Sequence, residues 1–266
     1  MGFLTKFIVI LAAIVGISWL ITDTPQTFDR AIIFHSNLQD KQVDSIRSHP
    51  VDSKVDLSLS NINGSVKITG HEHNNFVLQV TKRGNKKYFS QVRADVSVTK
   101  KNVTIKTIYD HRHDHLNVSI EYDLKMPHHT ILTAIKTING SIDLKDLYGP
   151  ITTKTVNGSL TITNTQNSVK AHTVNGAIKF SAQTFSDNQT INLTTVTGKI
   201  TCSLPKKITA HLYAKTAVGK ITSDFPLPTL TKQFVGQKVE GDIGKTGGST
   251  IELNSTTGAI AIKKHF

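Results

Sequence analysis

The stretch from Thr155 to Phe180, TVNGSLTITNTQNSVKAHTVNGAIKF, states one phrase twice: Thr-Val-Asn-Gly at 155–158 returns at 173–176, 18 residues on. Related phrases centre on Gly64 (SNINGSVKI), Gly140 (KTINGSIDL), Gly158 (KTVNGSLTI), Gly176 (HTVNGAIKF), Gly198 (TTVTGKITC), Gly219 (KTAVGKITS) and Gly258 (NSTTGAIAI). From Gly140 onward these glycines lie 18, 18, 22, 21 and 39 residues apart. Regular periods near 20 residues mark solenoids, in which each repeat stacks on the one before. The interval of 39 is close to two units, and an extra turn near Gly241 in VEGDIGK would split it.

The chemistry of one unit is simple. Asn-Gly accepts positive φ and closes a tight turn. After it the aliphatics alternate, as in Ile142 and Leu144, Leu160 and Ile162, Ile178 and Phe180, Ile200 and Cys202. Period two puts these on one face of a strand and Ser, Thr, Lys and Asp on the other. Asn-Gly is also the strongest short hairpin signal, but a hairpin array does not need the same phrase at a regular interval. A coil does, because equal circuits bring equal residues into register. The expectation is an all-β chain with a β-solenoid of ~20-residue repeats over 131–266. Its aliphatics form a continuous core, its Thr and Asn positions form ladders on the outside, and the seven glycines are structural turn residues. The abundance of Thr, Val and Ile and the 6% of aromatics suit a pleated surface better than a helix.

The flanking segments read differently. Over 52–130, NFVLQVTKRG, QVRADVSVTKKNVTIKTIYD and LNVSIEYDLKMP are longer alternating runs. They predict antiparallel strands that cap the N-terminal end of the coil, where strand edges and core would otherwise be bare. Residues 22–51, with Pro25, Pro50 and scattered charge, read as a tether in which TFDRAIIFHSNLQ forms a short helix or edge strand. In 1–21, Lys6 precedes 15 mostly apolar residues from Phe7 to Ile21. An average membrane helix needs ~20, and Phe3 and Leu4 extend the run if Lys6 snorkels. The run ends in bulky Trp19, Leu20 and Ile21, where a cleavage site needs small residues. One uncleaved transmembrane helix is expected, with a cleaved signal peptide as the alternative. Lys6 assigns the short side to the cytoplasm. The chain is then a single-pass cell-membrane protein with its bulk extracytoplasmic, in a periplasm or at the surface.

The order NINGSVKITGHEHNNFVLQVTKRG, VTIKT, VSIEYDLKMP, the T-V-N-G-x-I series and GDIGKTGGSTIELNSTTGAIAI resembles the DUF4097 family, bacterial envelope proteins labelled adhesins. The resemblance covers Val55 to Phe266. It implies a β-strand repeat fold and an envelope location, and it brings no catalytic residues. The chain departs from that family in being basic and rich in His.

The formal charge of +12 favours anionic partners without choosing among them. Candidate anion contacts are Lys82, Arg83, Lys86 and Lys87 in TKRGNKKY, and Lys199 and Lys220, which each follow a turn glycine. Equal phase places Lys199 and Lys220 on neighbouring coils, about one strand spacing apart. The plainer readings are a solvated basic turn and charge that discourages edge aggregation. His111, His113 and His115 in DHRHDHLN, with His71, His73, His128 and His129 elsewhere, are candidate Zn or Cu ligands. The run lies between strands in a loop, so neither metal nor cofactor is assigned. Gly-Lys-Thr at 244–246 lacks the remainder of a P-loop: Val239 stands where the first glycine belongs, and a strand follows. No Gly-x-Ser-x-Gly elbow is present. Asp143, Asp146 and Asp187 do not nominate a glycosidase carboxylate pair.

These features point to a non-enzymatic, membrane-anchored envelope protein, structural or adhesin-like. It would present a basic polar surface to an anionic envelope glycan, lipid or protein; nucleic acid is not expected. The alternatives are a β-helix enzyme acting on an envelope polysaccharide and a His-dependent metal or pH sensor.

Overall fold

Period-two alternation is written through most of this chain, and the computed structural model is built of strands accordingly. It describes residues 11–12, 17–18, 32–34, 41–110, 118–185, 187–226, 231–232, 236–245 and 248–265. The first strands are β1 (Leu11–Ala12), β2 (Ile17–Ser18), β3 (Ile32–Phe34) and β4 (Lys41–Pro50). Then come β5 (Asp56–Ser60), β6 (Val66–His71), β7 (Asn75–Gly84), a 3-10 turn at Lys86–Gln91, β8 (Val92–Val98), β9 (Asn102–Tyr109) and β10 (Val118–Pro127). Paired strands follow: β11 (Ile131–Lys136) and β12 (Ile142–Lys145), β13 (Ile151–Asn157) and β14 (Leu160–Thr165), β15 (Val169–Asn175) and β16 (Ile178–Ala182). The next pairs are β17 (Thr190–Thr197) with β18 (Ile200–Pro205) and β19 (Ala210–Val218) with β20 (Ile221–Ser223). The chain closes with β21 (Thr231–Lys232), β22 (Gln237–Ile243), β23 (Ser249–Thr257) and β24 (Ile260–His265).

Two sheets of 11 strands result. Sheet I runs β20-β24-β18-β16-β14-β12-β6-β10-β7-β4-β3, and sheet II runs β21-β22-β19-β23-β17-β15-β13-β11-β5-β9-β8. Asn-Gly is not a hairpin here. Gly158 and Ser159 carry the chain from β13 in sheet II to β14 in sheet I, and each strand pairs in parallel with its counterpart in the next layer. Equal positions fall side by side: Thr155 with Thr173, Asn157 with Asn175, Leu160 with Ile178.

This register turns the alternating aliphatics into columns. In sheet I one column is Val66, Ile142, Leu160, Ile178, Ile200, Ile260 and Ile221, every one of them buried. A second column contains Phe180, Cys202 and Ile262, so the Cys202 thiol is sealed in the core and burial pushes its pKa up to about 12. Columns of both sheets belong to one hydrophobic cluster, in which each buried aliphatic contributes ~1.5–3 kcal/mol relative to exposure.

Spatial order departs from chain order at both ends. β23 lies between β17 and β19, and β24 between β18 and β20. The 39-residue interval is therefore not two units. β22 runs back antiparallel along β19, pairing Thr216 with Gln237 and Ala210 with Ile243, and the last repeat then enters inside β19. At the other end β9 and β10 lie outside β5 and β6 and pair in parallel with them. The parallel stack thus starts well before the expected boundary at 131. Antiparallel strands flank it there: β8 on β9, and β7 and β4 beyond β10.

Two further expectations change. Residues 41–50 are not tether but a sheet strand, because β4 covers the free edge of β7 from Asn75 to Arg83; β3 then lies at the edge of sheet I. Within 1–21 only Leu11–Ala12 and Ile17–Ser18 are described, as two short antiparallel strands, and the rest of the expected transmembrane segment lies outside the described residues. Among the described residues no helix is long and apolar enough to cross a membrane. The repeat threonines face inward: Thr155 and Thr173 are completely buried, and only the Asn ladder is outside.

Candidate functional site

The corner between the sheets is built from two ladders. Three residues before each turn glycine stands a buried hydroxyl or amide. Thr155, Thr173 and Thr195 donate through Oγ1 to the carbonyls of Gly140, Gly158 and Gly176, each one layer away, at 2.9, 2.9 and 3.0 Å. Ser255 serves Gly198, Thr216 serves Gly258, and Asn61 reaches Ile120 O at 2.9 Å. Outside this row, Asn139, Asn157 and Asn175 each donate through Nδ2 to the Oδ1 of the preceding asparagine, beginning at Asn63, at 2.8–2.9 Å. Gly140, Gly158 and Gly176 do not hold positive φ. Close stacking requires them instead: a Cβ on Gly158 would sit 2.0 Å from the carbonyl oxygen of Gly140.

The same register arranges charge on the outer face of sheet II. The residue just before each corner Thr points outward. Lys136, Lys154, His172 and Thr194 occupy this position on four successive strands. Lys170, two residues before His172, shares the face and pairs with Thr152 on one side and Asn192 on the other. Lys136, Lys154 and Lys170 are exposed, and among the described residues none of the three forms an ion pair. Glu252 lies two strands from Lys170, with its carboxylate oxygens occupied by Asn192 at 2.7 Å and Asn254 at 2.8 Å. Burial, and then the nearby Lys154 charge, hold the His172 pKa below its ordinary value. Sheet I is different: Asp123, Lys67 and Asp143 alternate along one row, and Lys67 reaches Asp123 at 3.5 Å.

The expected anion contacts do not come together. Ala259 separates Lys199 from Lys220, because Ile200 N bonds Ala259 O and Ile260 N bonds Lys220 O. The two lysines are thus two strand spacings apart, a consequence of the inserted last repeat. Lys82 is buried and donates to Phe89 O at 2.9 Å; Arg83 is paired with Glu121 at 2.7 Å. Lys86 and Lys87 remain exposed on the 3-10 turn, with Lys87 Nζ 5.7 Å from the Tyr88 ring centroid. The stripe of Lys136, Lys154, Lys170 and His172 was not singled out from the sequence. Its signal was present in the Lys or His that opens KTING, KTVNG and HTVNG.

No protein-family model matches the chain, and no curated protein sequence matches it. Solved structures do resemble it. A candidate cell adhesion protein from Clostridium sporogenes is 15% identical over 83% of this chain and 99% of its own, with a TM-score of 0.48. A candidate adhesin from Bacteroides fragilis is 16% identical over 86% of this chain and 98% of its own, with a TM-score of 0.42. A candidate lipid-binding protein from Parabacteroides distasonis is 11% identical, covers 86% of this chain and 98% of its own, and has a TM-score of 0.36. Likeness at these levels carries no argument about what this chain does.

The histidines outside the stripe are partly tied down. His71 Nε2 donates to Asn75 O at 2.9 Å. His128 Nδ1 donates to Asp146 O at 2.6 Å, and its ring stacks on Tyr148 at 4.5 Å. Burial lowers the His71 pKa; the Asn75 carbonyl opposes this, and His73, His128 and Lys125 lower it further. His111, His113 and His115 lie outside the described residues. Among the described residues no group of three or more His, Cys, Asp or Glu is placed to hold a metal ion.

Proposed function

We propose that this chain is a non-enzymatic, adhesin-like envelope protein. It is a β-solenoid closed at its ends by antiparallel strands, held to the membrane by its N-terminal apolar segment, and it presents sheet II to an anionic envelope partner. The observation that carries this reading is the outward row of Lys136, Lys154 and His172 with Lys170 beside it, in which the lysines lack ion pairs among the described residues. Like charges held one strand spacing apart repel unless an anion lies over them. The aliphatic columns fill the interior, so the chemistry of the repeats is on the outside. The resemblance to the DUF4097 family points the same way and suggests the envelope location.

The test uses the full chain in neutral detergent, mixed with isolated bacterial envelopes. It should sediment with them at low salt, be released at high salt, and generate no new reducing ends. Absence of sedimentation at low salt, or release of reducing ends, would contradict the proposal. A reporter fused after Phe266 should be active only outside the cytoplasm, on a protein that keeps Met1 to Ile21.

A further inference from the structure

We infer that the outer face of sheet II binds a linear anionic polysaccharide laid along the stack axis, its acidic groups met in turn by Lys136, Lys154 and Lys170 with His172 beside them. This rests on the functional reading above and names the partner that reading leaves open.

Spacing is the first argument. Lys136 and Lys154 are in register on adjacent parallel strands, and the next strand carries His172 in that register with Lys170 two residues before it, so each of three layers ~4.8 Å apart offers a lysine. One pyranose ring with its glycosidic oxygen covers nearly that distance. A chain crossing the strands at about one sugar per layer therefore keeps acidic groups within reach of the long lysine side chains along the row. Composition is the second. Thr152, Thr194 and Asn192 flank the cations on the same face and suit the hydroxyls of a sugar. Rigidity is the third: the ladders at the corner order the strands before the ligand arrives, so little is lost in binding.

A lipid surface is the other source of anionic groups, and the vesicle arm of the experiment below separates it from a polysaccharide. Insertion of a basic surface into lipid calls for apolar side chains among the cations. Among the described residues the exposed large aliphatics are Ile62, Ile138, Val196 and Val218, all within two residues of a turn glycine at the corner; Ile138 lies two residues beyond Lys136, while Thr152, Asn192 and Thr194 lie beside the cations farther from the corner.

His172 supplies an internal reporter. The groups that face it are Lys154 from β13, Lys170 from its own strand, and the uncharged Asn192 and Thr194 from β17. No carboxylate faces it from these strands. A polyanion bound over the stripe must raise its pKa from the lowered value of the free protein.

The experiment places the full chain in zwitterionic nanodiscs and titrates it with polygalacturonate. Controls are the same polymer fully methyl-esterified, monomeric galacturonate, and phosphatidylglycerol vesicles. Polygalacturonate should bind and weaken steeply with salt, and the His172 imidazole resonance should titrate at higher pH when it is bound. The ester and the monomer should not bind. The triple variant K136Q, K154Q and K170Q should bind about tenfold more weakly or worse, while K199Q with K220Q should bind like the parent. Circular dichroism melts confirm that each variant is folded. Parent-like binding by the triple variant overturns the inference, as does tighter binding to vesicles than to the polymer. If the parent sediments with envelopes but ignores polygalacturonate, this inference fails and the functional reading stands. If it binds neither, both fail.

Discussion

The Thr173 hydroxyl donates to the carbonyl oxygen of Gly158 at 2.9 Å, across the gap between two layers of the stack. The strands satisfy their own carbonyls through the sheet ladders, but at the corner the glycine carbonyl turns to a side chain. Thr173 is completely buried, so no water replaces it. Thr173→Val keeps the shape and leaves that carbonyl without its donor. The expected cost is about 1–2 kcal/mol, read from urea melts, with Thr173→Ser costing less. A Thr173→Val protein that melts like the parent would show that the ladder is not stabilising.

Gly158 separates two explanations of the conserved phrase within the chain. If glycine served only a left-handed turn, asparagine would be tolerated there. The structure instead places a Cβ on Gly158 at 2.0 Å from backbone oxygen. Gly158→Ala and Gly158→Asn should therefore both destabilise, by about 3 kcal/mol. Asn188, exposed and at φ 64°, is the control: Asn188→Gly relieves a left-handed residue and should shift stability by no more than about 0.5 kcal/mol. Tolerance of Gly158→Asn in denaturant melts would restore the turn explanation.

Much of this architecture was legible in the repeats. Ile142, Leu160, Ile178 and Ile200 were expected in one stacked core, and they form one column. Other features depend on which strand lies beside which, and periodicity does not encode that. Lys199 and Lys220 share a phase yet are separated by Ala259, because β22 pairs antiparallel with β19 and the last repeat enters from the side. Thr155 is expected outside on its polarity alone, yet period two from Ile151 puts it on the inner face opposite Lys154, and the glycine carbonyl beside it satisfies the buried hydroxyl. The Lys136–Lys154–His172 row is not marked by the repeat, whose shared residues are the threonine, asparagine and glycine, while the position before the threonine changes from Lys to His to Thr.

Two histidines give stability a defined pH dependence. The pKa values of His71 and His172 are lowered from 6.5, in both cases first by burial. Each takes up a proton more readily unfolded than folded. Their contribution is therefore fully present above pH 6.5 and is lost as pH falls from there toward the folded pKa values. Chemical melts should show lower stability at pH 5 than at pH 8, and His71→Gln with His172→Gln should flatten the slope in that window. An unchanged slope in the double variant would assign the dependence to other groups.

The order of layers at the C-terminal end is tested most directly by cross-linking. In a Cys202→Ser background, Lys199→Cys with Ala259→Cys places two thiols on adjacent layers, with Cα atoms ~4.8 Å apart and within disulfide range. Lys199→Cys with Lys220→Cys places them two layers apart, beyond it. Mild oxidation of the folded protein followed by mass spectrometry reads the outcome. The account predicts a disulfide between positions 199 and 259 and none between 199 and 220. A disulfide between 199 and 220, with 199 and 259 left reduced, would contradict it.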